Sequence, residues 1–251
     1  MYHKKYHFTL SIQRLLFFVF LLLTSSWVDG QCVVQSVNLQ PYNNQNNTTQ
    51  VFANNIIGIG AARISISHQL YGNAALSTNR ISDTHYTGEY GINLGHDSGK
   101  AANFANRIET TLSFSTSVKD LKFTLNDVDA GDHIRLMVYD QNNNLIIISS
   151  ANYSLYPNTV VNFQSISGSS GEFYENNGTD ISSGSAGARK ATVDFNFSGL
   201  YISKVVFQYY DPDGSGTYTI AKISGIDGST CPSCNAGSSQ TPITNSILTN
   251  F

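Results

Sequence analysis

The chain has 251 residues, a formal charge of −3 and only 12% charged side chains. It contains no basic run, which argues against nucleic acid as a partner, because phosphate recognition rests on clustered Lys and Arg. Asn, Ser, Thr and Gly are plentiful, the composition of a neutral, hydroxyl- and amide-rich β surface that suits extracellular and sugar-facing roles.

Residues 1–30 read as a secretory signal peptide. Lys4, Lys5 and Arg14 precede an apolar run from Leu15 to Leu23, and Val28-Asp29-Gly30 supplies the small-residue ending. The run is short for a bilayer crossing, so no membrane span is expected after cleavage. A lipoprotein reading fits less well, since Gln31 stands before Cys32 where a small residue is required. The leader carries +2 (Lys4, Lys5 and Arg14 against Asp29), so the part that follows carries −5. Secretion or display at the cell surface is the expected address.

Cys32, Cys231 and Cys234 remain after processing. In an exported chain they are disulfide candidates, and a staple from the first strand to the last would join Cys32 to Cys231 or to Cys234. A redox role for CPSC is disfavoured, because Pro232 and Ser233 lie in a Gly/Ser-rich tail rather than at a helix N-terminus.

Along residues 31–230 the pattern is that of strands. Val33–Leu39 alternates, and Arg63–Leu70 sets Ile64, Ile66 and His68 against Arg63, Ser65 and Ser67. Residues 71–106 are weaker, with loops, short strands and a helical turn expected around Lys100–Ala105. The sharpest signal runs from Arg107 to Ile148. Ile108, Thr110, Leu112 and Phe114 share one face; Leu121, Phe123 and Leu125 follow after a polar turn; Ile134, Leu136 and Val138 come after Ala130-Gly131-Asp132. Asn142–Asn144 turns the chain into Leu145–Ile148. After a Ser/Gly-rich interval at 165–187 the alternation resumes at Thr192–Phe197, Val205–Tyr209 and Tyr218–Ile226.

A sustained period of two means one buried face per strand. Many short strands with turn punctuation predict an all-β domain, an antiparallel two-sheet β-sandwich that is jelly-roll-like in its connections. Residues 231–251 lose the alternation and read as a flexible C-terminal tail or linker.

The phrases NRIETTLSFSTSVKDLKFTLNDVDAGDHIRLMVYDQNNNLI and GLYISKVVFQYYDPDGSGTYTIAKISGI resemble the β-sandwich domains of large exported surface proteins of Bacteroidetes-type bacteria. That resemblance implies a surface or adhesion role beside other adhesion modules. The sequence departs from the pattern in having no recognisable secretion-sorting domain before Phe251.

Two acidic turns carry the chemistry that can be read locally. Asp127 and Asp129 stand two apart at a strand end, with Asp132 opening the next strand. Three carboxylates could supply about half of a Ca²⁺ shell of six to eight oxygens; alternatively Asp and Gly are simply hairpin-turn residues that cap backbone amides. Asp211-Pro212-Asp213-Gly214 resembles the first half of an EF-hand loop, yet Lys222 stands where the twelfth-position Glu belongs and no helices flank it. Asp127, Asp129, Asp132, Asp211 and Asp213 are thus the candidate metal ligands, with Ca²⁺ the candidate cofactor.

No G-x-S-x-G, H-E-x-x-H or phosphate loop occurs, and His68, His85, His96 and His133 are scattered. The sole Trp, Trp27, leaves with the leader, so sugar stacking would fall to Tyr. Tyr139 and Tyr210 are the candidate ligand contacts, Tyr210 because alternation turns it away from the inward-facing Tyr209. The expected function is a non-enzymatic β-sandwich with an adhesive or structural role, steadied by Ca²⁺. A carbohydrate-binding module is the alternative and a sandwich-fold polysaccharide-acting enzyme the third. A surface polysaccharide or another extracellular protein is the expected partner.

Overall fold

A computed structural model describes residues 32–43, 57–75, 81–82, 90–94, 103–129, 131–156, 160–175, 191–212 and 221–231. Residues 1–30, read from the sequence as a signal peptide, and Asp213, Cys234, His85 and His96 lie outside these residues. Val33–Thr230 forms one compact unit, and the two termini, Met1–Cys32 with Cys231–Phe251, form another. In the terminal unit Cys32 and Cys231 are joined by a disulfide, with Cα atoms 4.1 Å apart.

The described strands are β1 (Val33–Ser36), β2 (Gly58–Ile59), β3 (Ala62–Leu70), β4 (Ile81–Ser82), β5 (Gly91–Asn93), β6 (Ile108–Asn126), β7 (His133–Asp140), β8 (Leu145–Ile146), β9 (Tyr153–Leu155), β10 (Asn162–Gln164), β11 (Gly171–Tyr174), β12 (Val193–Asn196), β13 (Tyr201–Tyr210) and β14 (Lys222–Thr230). All described pairings are antiparallel, so the chain is all-β as its alternation predicts. The helical turn expected around Lys100–Ala105 falls at Phe104–Asn106 as a 3₁₀ helix, capped by Asn103, whose Oδ1 accepts from Asn106 N.

The fold turns on β6. The sequence predicts two strands here, separated by a polar turn in Ser115–Asp120; the structure has one 19-residue strand. The even-numbered Ile108, Thr110, Leu112, Phe114 and Val118 are buried in the first part of the strand, and the odd-numbered Leu121, Phe123 and Leu125 in the second. Side chains alternate strictly along a strand, so such a parity change demands one extra residue in the ladder. It occurs where Asp120 adopts a left-handed φ of 54°, a conformation that Asp tolerates better than most side chains. Asp120 Oδ1 accepts a hydrogen bond from Gly199 N at 2.6 Å.

This irregularity lets β6 serve two strand groups. Its first half lies between β3 and β13, with Ile66 and Val205 both opposite Leu112. Its second half lies between β12 and β14, with Phe195 opposite Phe123 and Ile223 opposite Leu125. Hydrogen bonding therefore forms a single sheet with the order β10-β11-β7-β13-β6-β14-β5-β4. The core joins the groups through aromatic rings: Phe123 meets Phe207 at 5.5 Å and Phe195 at 4.6 Å, and Phe173 meets Phe195 edge-on at 5.0 Å. Each such pair contributes about 0.5–1.5 kcal/mol beyond the area it buries.

Candidate functional site

The outward face of the first strand group is laid down by the same alternation that builds the core. In β3, Ile64 and Ile66 are buried while Arg63, Ser65, Ser67 and Gln69 are exposed. In β7, Ile134, Leu136 and Val138 point inward, leaving His133, Arg135, Met137 and Tyr139 half-buried outside. Registers align the outward residues into rows. One row runs Gln69, Glu109, Gln208, Arg135, Glu172, Gln164 across β3, β6, β13, β7, β11 and β10. Gln208 Nε2 donates to Glu109 Oε2 at 2.8 Å. Tyr139 lies beside Lys204, whose Nζ stands 4.1 Å from the ring centroid.

Glu172 anchors the row. Its carboxylate accepts from Gln164 Nε2 at 2.7 Å, Arg135 Nε at 2.9 Å, His133 Nδ1 at 3.1 Å and the Tyr210 hydroxyl at 3.0 Å. Because a carboxylate only accepts, His133 carries its hydrogen on Nδ1. Burial alone would raise the Glu172 pKa, but the hydrogen bonds from His133, Gln164 and Arg135, with the Arg135 charge, outweigh it and hold the value at about 2. Burial, followed by the nearby Glu172 charge, pushes the Tyr210 phenol up to about 12. A carboxylate this well supplied with donors is an anion at neutral pH with no proton to give. It fixes its neighbours rather than acting as an acid or base.

Aromatic rings cover one end of the face. Phe104 meets Tyr210 edge-on at 5.6 Å, and the Arg135 and Arg107 guanidiniums lie 3.8 and 4.4 Å from the Phe104 centroid. Arg107 also stacks on Tyr71 at 3.6 Å, and His133 stacks on Tyr174 at 5.2 Å. Stacked guanidiniums of this kind gain about 0.5–2 kcal/mol each.

The first acidic turn is buried, contrary to the usual place of hairpin carboxylates. Asp127, Asp129 and Asp132 are all nearly inaccessible, and Asp211 approaches them at the end of β13. Asp127 follows the end of β6 with a left-handed φ of 62°. The turn closes through Asp132 N to Asp129 O at 2.9 Å, and Gly131 N donates to Glu175 Oε2 at 3.0 Å. The Tyr209 hydroxyl donates to Asp132 Oδ1. Burial raises the Asp132 pKa well above its ordinary value; the Tyr209 bond opposes that, and the charges of Asp129, Asp211 and Asp127 reinforce it. Among the described residues no three His, Cys, Asp or Glu side chains are arranged as a metal-ligand set, and Asp213 lies outside them.

Of the expected ligand contacts, Tyr139 is half-buried on the outward face. Tyr210 also faces outward, as its alternation with Tyr209 predicts, but its ring is covered by Phe104 and its hydroxyl is held by Glu172. Asp127, Asp129, Asp132 and Asp211 are brought together, and the Cys32 staple is made to Cys231. Sequence reasoning missed Glu172, which sits in the Ser/Gly-rich interval at 165–187. The signal available there was the Glu172-Phe173-Tyr174 triplet itself, one charged residue before two aromatics. Comparisons with protein-family models, curated proteins and solved structures return no match for this chain.

Proposed function

We propose that the chain is an exported, non-enzymatic surface module that adheres to extracellular polysaccharide through the outward face of β3, β6, β13, β7 and β11. The observation that carries this reading is the in-register row from Gln69 to Gln164. Within the row the buried Gln208 holds Glu109, and the buried Glu172 holds Arg135 and Gln164, so the accessible groups Glu109, Arg135 and Gln164 lose little conformational freedom on meeting hydroxyls, which is the preorganisation that polyol recognition rewards. Tyr139, farther along β7 opposite Lys204, supplies a flat amphipathic ring on the same face. The saturated state of Glu172 supports an anchoring rather than a catalytic role. The signal peptide and the resemblance to exported surface domains support the location.

The test is binding to an array of soluble and insoluble polysaccharides. Wild type binds at least one class, and Tyr139→Ala and Gln69→Ala each weaken that binding by about tenfold with unchanged melting temperature. Binding that both substitutions leave intact, or shortening of the polysaccharide chains, would refute the proposal.

A further inference from the structure

On the second strand group, away from the polysaccharide face, a cavity of about 310 Å³ is lined by Val34, Asp120, Lys122, Asn196, Ser198, Asp227 and Gly228. This volume falls within the range of small-molecule sites. Its shape follows from two backbone irregularities already built into the fold. Asp120 takes its left-handed turn in β6, and β14 leaves its regular register with β6 on both sides of Asp227. Gly228 permits the close approach: a Cβ there would stand 2.3 Å from Val118 Cγ1.

The registers place Asn196, Lys122, Asp227 and Ser36 in one row across β12, β6, β14 and β1. The floor thus offers two carboxylates against one ammonium. The ion pairs among the described residues join Arg107 to Glu109, and His133 and Arg135 to Glu172; none involves Asp120, Lys122 or Asp227. Three charged groups therefore line one cavity without a direct ion pair between them, and Asp120 uses one oxygen on Gly199 N. Val34, 73% exposed at the rim, adds an apolar contact.

We infer that this cavity is a second binding site, for a small hydroxylated amine of the amino-sugar class. The ligand ammonium sits between Asp120 and Asp227, where charge-assisted hydrogen bonds are strongest. Its hydroxyls pair with Asn196, Ser198 and Lys122, and its C–H face rests on Val34. The excess of carboxylate selects against anions, and Lys122 weakens the amine contact by repulsion while serving the hydroxyls.

The experiment is NMR titration of the full secreted chain, at a mildly acidic pH that keeps the amine protonated. The probes are glucosamine, N-acetylglucosamine, glucose and glucuronate, read at the amides of Lys122, Asn196, Asp227 and Gly228. Glucosamine gives saturable shifts, with N-acetylglucosamine and glucose weaker by about tenfold or more. Asp227→Asn and Asp120→Asn each reduce glucosamine affinity by about tenfold, and Lys122→Met increases it. Asn retains the left-handed conformation and one acceptor at position 120, and the comparison among sugars needs no variant at all. Equal binding of the sugars, no binding by any, glucosamine affinity unchanged in both Asn variants, or a preference for glucuronate that Lys122→Met abolishes would each overturn the inference.

Discussion

Two carboxylates with opposite environments show how much chemistry a single position carries. Glu172 is an anion held by four donors, whereas Asp132 is buried among other carboxylates with a tyrosine hydroxyl on one oxygen. The pH dependence follows in sign. The folded pKa of Glu172 is depressed from 4.5 to about 2, so its contribution is present above 4.5 and is lost as pH falls through that window. Glu172→Gln is expected to lower stability at neutral pH by about 3 kcal/mol, since it leaves Arg135 without its buried counter-charge. In urea melts the deficit relative to wild type shrinks as pH falls from 4.5 towards 2. Asp132 behaves inversely: its folded pKa is raised, so its contribution is favourable below 3.8 and becomes a cost as pH rises through the folded value. Asp132→Asn, which keeps an acceptor for Tyr209, raises the melting temperature at neutral pH and leaves it unchanged in strong acid. Asp132 was legible as a turn residue; its burial was not, because it depends on β13 delivering Tyr209 and Asp211 to the same place.

β6 illustrates what periodicity tells and where it stops. The change from even-numbered to odd-numbered apolar residues between Val118 and Leu121 is visible in the sequence, and it is compatible with either a turn between two strands or a bulge within one. Local rules favour a turn, since Ser115–Asp120 is polar. The bulge wins because the flanking residues pair with different partners: β3 and β13 on one side, β12 and β14 on the other. Asp120→Ala removes both the tolerance for a positive φ and the Gly199 cap. It is expected to cost about 1–2 kcal/mol, measured by chemical denaturation, while Asp120→Asn costs less than half as much. The Asp140 hairpin was the easier case. Asp140 Oδ1 accepts from Asn142 N and Asn144 N, both at 2.8 Å, and Asn143 takes a φ of 62°, so every requirement of that turn lies within five residues.

For the whole molecule, the covalent link matters as much as the core. Cys32 and Cys231 are 199 residues apart in sequence, so their bond removes much of the freedom of the unfolded chain. Cys32→Ser is expected to cost about 2–5 kcal/mol, seen as a lower denaturation midpoint that matches the reduced wild type. The sequence alone determined the β class, the buried face of most strands and the candidacy of all three cysteines, because each follows from the residue types present or from a period of two along the chain. Only the tertiary structure decided that β6 is one strand shared by two groups and that Cys32 pairs with Cys231. It alone brought Gln164, Arg135, His133 and Tyr210 onto Glu172, and hollowed the cavity at Asp227. The physical reason is the same in each case: strand pairing, disulfide partners and hydrogen-bonded clusters join residues tens to hundreds of positions apart, and no local pattern specifies which distant strand will lie alongside.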